Sequence, residues 1–323
     1  MPRTVTPGTT GRKGHPVGRG RHSLVRWALL GLLLLVLVLL PSARPAEEPV
    51  VLGIQPFASP TSLFERYAPL RDQIGEQLGR PARIETARDF PTFLARARRE
   101  RYDMILMVAP HQVPVLGNSG PYDLLARSGD RLGMAIIVPA NSPIRHPHEL
   151  AGQTVAAGHR DSLGVALAHR LLAPGEWPEH APPPDYRYYP HQSAATVAMQ
   201  RGLARAAVVV LDGSALATAA DAPVGVRTLA LADGSLTRII GHSGTFPGAT
   251  LLLHPRLATH HDALKEYLIG LARHPAGRTL LRSINHTRFE PAKLADYTPF
   301  EDFRATLPRP STSETLDAER HSP

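Results

Sequence analysis

The chain is 323 residues long, 43% apolar and without cysteine, and it carries a formal charge of +8. Its length and apolar content suffice for one large core or two medium ones. The missing cysteines exclude disulfides, thiolate metal sites and a lipid-accepting cysteine.

The charge does not mark a nucleic-acid binder, because it is confined to one end. Residues 1–46 hold seven basic side chains (Arg3, Arg12, Lys13, Arg19, Arg21, Arg26, Arg44) and no acid, which leaves 29 basic against 28 acidic residues elsewhere. Residues 27–40 are fourteen consecutive apolar residues or glycine, closed by Pro41 and the small residues Ser42, Ala43, Pro45 and Ala46. A basic stretch before a short apolar run predicts an export signal, since a membrane-spanning helix takes about 20 residues. Neither Ala43 nor Ala46 has a small residue at the upstream position of the cleavage pattern, where Pro41 and Arg44 stand. An uncleaved N-terminal anchor is therefore the alternative.

From Val50 onward, short apolar runs alternate with amphipathic stretches, the pattern of βαβ units around a mostly parallel sheet. Val50–Ile54 reads as a strand. Leu63, Tyr67, Leu70, Ile74 and Leu78 recur at spacings of three and four and are followed by Gly79, so the spacing predicts a one-faced helix with a kink at Pro69. Residues 82–86 form a second strand, Asp89 caps a helix over 90–101, and 104–108 is a buried parallel strand. Ligands in open α/β sheets bind at the carboxyl ends of strands, which draws attention to the loops after Ile54 and Val108. Residues 133–138 are another strand.

A second series then begins. Strand 154–157, loop 158–161 and a helix over 162–173 precede prolines 182–184, strand 186–189, helix 194–201 and strands 206–211 and 226–231. Thr250–Leu253 is a strand, helices follow near 262–271 and 276–284, and the polar end reads as a frayed tail.

Several segments resemble the periplasmic substrate-binding proteins of phosphate, phosphite and phosphonate ABC importers. They are Gln55, Pro56, Phe57 after the first strand; Arg66, Tyr67, Ala68, Pro69, Leu70; Leu78, Gly79, Arg80, Pro81; and Tyr102, Asp103, Met104 leading to Ala109, Pro110. Further on, Leu150 to Val155, the loop Asp161, Ser162, Leu163, Gly164, the segment His191 to Ala195 and the run His274 to Leu281 extend the likeness over residues 50–295. The resemblance implies an α/β protein of two Rossmann-like lobes joined by a hinge, the type II periplasmic-binding architecture. It implies a leader (1–46), lobe one (47–134 plus 235–300), lobe two (135–234) and a polar tail (301–323), with the ligand in the hinge cleft. The protein would be a monomer on the extracytoplasmic face, delivering a small oxyanion or phosphonate to a membrane permease.

Backbone N–H groups and hydroxyls at helix N-termini suit an oxyanion, because their hydrogens lack helical partners and lie at the positive end of the dipole. Ser162 and Gly164 occupy such a place, although a plain N-cap needs no ligand. Where the family has a Ser-Thr-Ser-Gly run, this chain has Asp161 and Leu163 around Ser162. Asp161 either meets an ammonium or a protonated ligand oxygen, or caps the helix. From lobe one, Phe57, Ser59, Thr61 and Ser62 surround the first helix entry, and His111 and Gln112 supply imidazole and amide donors. His191 and Gln192 precede a lobe-two helix. Asp212 ends a strand, facing a ligand amine or capping the next helix.

No cofactor or metal is expected. His111, His159 and His191 come from cleft loops, but three histidines alone do not define a site. A pyridoxal-linked pyrimidine- or thiamine-precursor enzyme is disfavoured, since beyond the leader only Lys265 and Lys293 exist and neither sits in a cleft loop. A membrane-anchored sensing module built on the same clamp is the remaining rival.

Overall fold

The computed structural model describes residues 48–173, 181–221, 228–231 and 233–300. The leader with its apolar run, the polar tail and the first two residues of the strand expected at 226–231 lie outside the described residues.

Strand β1 (Val50–Ile54) is buried at every position. Helix α1 (Pro60–Leu78) starts at Ser59, whose hydroxyl accepts the Ser62 N–H, and buries Leu63, Tyr67, Leu70, Ile74 and Leu78. It continues through Pro69 and ends at Gly79, whose φ of 63° is the left-handed conformation that glycine adopts without a Cβ penalty. Strand β2 (Ala82–Glu85) and helix α2 (Phe90–Arg98) follow, the helix capped by Asp89 accepting from the Thr92 N–H at 2.8 Å. Strand β3 (Met104–Met107) is wholly buried, with Met104 and Leu106 in one core and Ile105 and Met107 in another. Alternate side chains of a strand face opposite ways, so this sheet is covered on both faces.

A 3-10 turn (Pro110–Gln112) leads into the short helix α3 (Val113–Gly117) and strand β4 (Asp123–Ser128). Next come β5 (Arg131–Pro139), β6 (Thr154–Ala157), α4 (Leu163–Leu171), β7 (Asp185–Tyr188), α5 (Gln192–Gln200), β8 (Ala206–Asp212) and α6 (Gly213–Asp221). The chain continues as β9 (Thr228–Ala230), β10 (Leu236–Pro247), β11 (Thr250–Leu253), α7 (His261–Gly270), α8 (Pro275–Ser283) and β12 (Phe289–Glu290).

These strands build two six-stranded mixed sheets, ordered β12-β4-β11-β3-β1-β2 and β7-β6-β8-β5-β10-β9. The chain crosses between them twice, at 129–130 and 248–249, where β4 gives way to β5 and β10 to β11. The two crossings touch: the Ser128 N–H donates to the Ala249 carbonyl at 2.7 Å.

Residues 131–134 and 236–247, expected in lobe one, pair in the second sheet. The reason is β10, which runs antiparallel to β5 from Thr237 opposite Pro139 to Pro247 opposite Arg131. A boundary at 134 and 235 would divide β5 and part its 135–139 half from β10, whose ladder with β5 runs the length of both strands with two irregularities, leaving donors and acceptors unpaired.

Candidate functional site

Between the two sheets lies a cavity of about 460 Å³. Its lobe-one wall includes Phe57, Arg66, Tyr67, Phe90 and Ala109; its lobe-two wall includes Ser162, Gly164, His191, Gln192 and Asp212. The back, by the crossings, is formed by Ser128, Asp130, Phe246, Gly248 and His286.

Two helices of lobe two begin at this cavity. Ser162 is the N-cap of α4, its hydroxyl oxygen accepting the Val165 N–H at 3.3 Å. The preceding N–H groups of Leu163 and Gly164 have no intrahelical partner at this position. Gly164 is required by packing, because a Cβ there would stand 2.8 Å from a Val210 methyl group. His191 caps α5 in the same manner, its Nδ1 accepting the Ala194 N–H at 3.3 Å and lying 2.7 Å from the Ser193 hydroxyl. An accepting Nδ1 places the proton of the neutral ring on Nε2. Gln192 is tied to β8 at both ends of its amide, donating to the Val210 carbonyl at 3.2 Å and accepting the Val210 N–H at 2.8 Å. Asp212 accepts the Ser214 N–H at 2.8 Å and bonds the Ser214 hydroxyl. It holds the turn that opens α6.

Phe57 packs edge-on against Tyr67, with ring centroids 6.4 Å apart. The other lobe-one residues expected at the site stand elsewhere. Ser59, Thr61 and Ser62 are exposed in the first turn of α1 and are not part of the cavity wall. There the Ser59 hydroxyl serves the helix end. His111 and Gln112 are buried behind the wall. Asp161 is neither a wall residue nor the cap of α4; its carboxylate lies 3.9 Å from His159 Nδ1. The cap position belongs to the next residue, whose oxygen reaches the third amide of the helix.

His159 accepts the Asp161 N–H on Nδ1 at 3.2 Å, and burial pushes its pKa down against the pull of Asp161 and Asp89. Its ring is therefore a neutral part of the wall. Among the described residues, no group of three potential metal ligands is assembled.

The sequence reading passed over the residues at the back and over Arg66 and Tyr67. Asp130 accepts from the Ser128 hydroxyl and the Thr287 N–H, both at 2.8 Å, and from the Thr287 hydroxyl, with His286 Nδ1 3.5 Å away. Burial alone would raise the Asp130 pKa, but the hydrogen bonds from His286, Thr287 and Ser128 outweigh it and hold the carboxyl well below the usual carboxylate range. Nothing in the local sequence announces this cluster, because Ser128 and Asp130 stand more than 150 positions from His286 and Thr287.

Comparison with curated proteins finds no match. Among solved structures, PhnD1 from Prochlorococcus marinus in complex with methylphosphonate is 12% identical, with a TM-score of 0.64 over 80% of this chain and 98% of that one. A binding protein component of an ABC phosphonate transporter from Pseudomonas aeruginosa is 13% identical, with a TM-score of 0.63 over 85% and 94% of the two chains. XAC2383 from Xanthomonas citri bound to ATP is 17% identical, with a TM-score of 0.59 over 84% and 99%. The fold is thus a type II periplasmic-binding clamp of two α/β lobes. The family described as ABC transporter, phosphonate, periplasmic substrate-binding protein matches over residues 52–297, and the chain belongs to that family.

Proposed function

We propose that this protein captures a phosphonate-class anion between its lobes and presents it to the permease of an ABC importer on the extracytoplasmic face of the membrane. It acts as a binder without catalysing a reaction of its own. The observation that carries this reading is the convergence of two helix N-termini, those of α4 and α5, on one cavity closed on its other side by lobe one. Unpaired amides at the positive ends of helices are suited to an oxyanion. Ser162, Gly164 and His191 supply that wall, and Phe57 roofs it from lobe one. The methylphosphonate held by the Prochlorococcus protein and the ATP held by the Xanthomonas protein, both of this fold, are phosphorus oxyanions.

The lobes divide at the crossings, so the hinge is the pair of segments 129–130 and 248–249, and closure brings contacts from both lobes onto the ligand. Residues 27–40 direct export or tether the protein. Isothermal calorimetry with phosphite, methylphosphonate, 2-aminoethylphosphonate, phosphate and sulfate tests the reading. Saturable binding of a phosphorus compound, weakened by Ser162→Ala, is expected; heat from none of them rejects it.

A further inference from the structure

Arg66 and Tyr67, adjacent on α1, both line the cavity, and among the described residues neither has a hydrogen-bond or ion-pair partner. Tyr67 is only 2% exposed. Its ring packs in the lobe-one core, but its hydroxyl is not among the fully buried polar atoms left without a partner, so the oxygen keeps access to the cavity it lines. Burial also pushes its pKa up to about 12 despite the nearby Arg66 guanidinium. At physiological pH the group is a neutral O–H donor.

Among the described wall residues Arg66 is the one lysine or arginine. Among the described residues neither carboxylate of the wall lies within salt-bridge distance of it, and both keep their charge. Asp130 is saturated by Ser128 and Thr287, and Asp212 is taken by Ser214. The rest of the lobe-one wall is mostly apolar, with Phe57, Ala58, Phe90, Val108 and Ala109. Leu132, Leu163, Phe246 and Ile284 extend that surface across the cavity.

Size points the same way. At roughly 30 Å³ per water-sized group, the five heavy atoms of methylphosphonate occupy on the order of 150 Å³ of this cavity of about 460 Å³. The remaining space is bounded largely by carbon.

We propose that Arg66 and Tyr67 bind the acid group of a phosphonate whose organic substituent is apolar and larger than methyl. The proposal rests on the reading of the cleft as an anion site given above and adds the ligand class and the two residues that recognise it. The Arg66 guanidinium neutralises one oxygen, the Tyr67 hydroxyl donates to another, and the substituent lies against the aromatic and aliphatic wall.

Calorimetry on the full-length protein with phosphite and with methyl-, propyl-, butyl- and phenylphosphonate provides the test, together with Arg66→Gln and Tyr67→Phe. Affinity is expected to rise about fourfold per added methylene, the increment for burying one such group. Each variant is expected to weaken butylphosphonate tenfold or more, as befits loss of a hydrogen bond to a charged group. Tyr67→Phe keeps the ring and its contact with Phe57, so its ligand-free melting temperature is expected to stay at or above that of the parent. Arg66→Gln is expected to flatten the salt dependence of binding. If phosphite or methylphosphonate binds as tightly as the larger compounds, or if both variants bind like the parent, this inference is overturned while the anion site stands. If no phosphonate binds at all, the anion site and this inference fall together.

Discussion

The Nε2 atom of His111 lies 3.1 Å from the backbone carbonyl oxygen of Asp161 and so joins the loop after β3 in lobe one to the loop before α4 in lobe two. A carbonyl only accepts, so the proton is on Nε2. Phe90 and His159 meet across the same gap at 6.2 Å between ring centroids. Both contacts cross from one lobe to the other, so under the proposed hinge motion they would be lost on opening. Replacing His111 with leucine removes the donor and keeps an apolar side chain in the buried site. Ligand affinity is expected to fall about fivefold, the worth of one net hydrogen bond, with a larger radius of gyration in the ligand-free protein by small-angle scattering. Unchanged affinity and radius would show that this bond is not a latch.

Ser162→Ala separates capping from recognition. Loss of the bond to the Val165 N–H is expected to cost about 1 kcal/mol, or roughly 2 to 4 °C in a melting curve for a domain of this size. A second effect, weaker binding of the best phosphonate, is expected from loss of the hydroxyl hydrogen as a donor to the ligand. Normal binding with a lowered melting temperature would assign Ser162 to the helix alone.

Asp130 gives the protein a dependence on acid whose sign is fixed. Its carboxyl has a folded-state pKa below the ordinary value, so the folded state favours the charged form. That contribution is complete above about pH 4, the unfolded aspartate range, and is lost as pH falls through the folded value. Urea unfolding of the parent and Asp130→Asn is expected to show a wide stability gap at neutral pH that narrows in acid. A gap of constant size at both pH values would remove Asp130 as its source.

Gly164→Ala tests the packing of the site. The new methyl group would meet Val210 at 2.8 Å, and overpacking of this kind costs about 1 to 3 kcal/mol. The N-terminus of α4 is expected to move off β8, with loss of both stability and ligand affinity. Adding Val210→Ala, which removes the opposing methyl groups, is expected to restore much of both; no recovery would mean that the glycine serves the backbone instead.

Much of the fold was legible because local rules and tertiary packing agree along most of the chain. Leu63, Tyr67, Leu70, Ile74 and Leu78 sit at helical spacing and all pack inward, and Gly79 stops the helix at a left-handed φ that favours glycine. Asp89 caps the helix it was expected to cap; of the two residues offered for α4, Ser162 is the cap and Asp161 is not. The misplaced segments were β10 and the start of β5, since their register partners lie between 98 (Thr237 to Pro139) and 116 (Pro247 to Arg131) positions away and the pattern of a strand does not name the sheet it joins.

The lobe-two side of the site was more readable than the lobe-one side. Ser162, Gly164, His191 and Gln192 are at helix starts, where sequence position alone puts a residue at the end of an element, and all four line the cavity. Ser59, Thr61 and Ser62 are also at a helix start, yet that turn is exposed outside the wall.

By itself the sequence determined the class of protein: a basic leader before a nearly neutral body, repeated βα units, and the segments that resemble binding proteins of phosphorus oxyanions. Those features depend on composition, periodicity and short-range capping, which act within a few residues. Only the tertiary structure decided which side chains share the cleft. Arg66 and Tyr67 were quoted for their likeness and not for their role, because whether a guanidinium or a phenol has a partner depends on residues distant in sequence. The Asp130 cluster was invisible for the same reason, being assembled where β4, β5 and the segment before β12 meet.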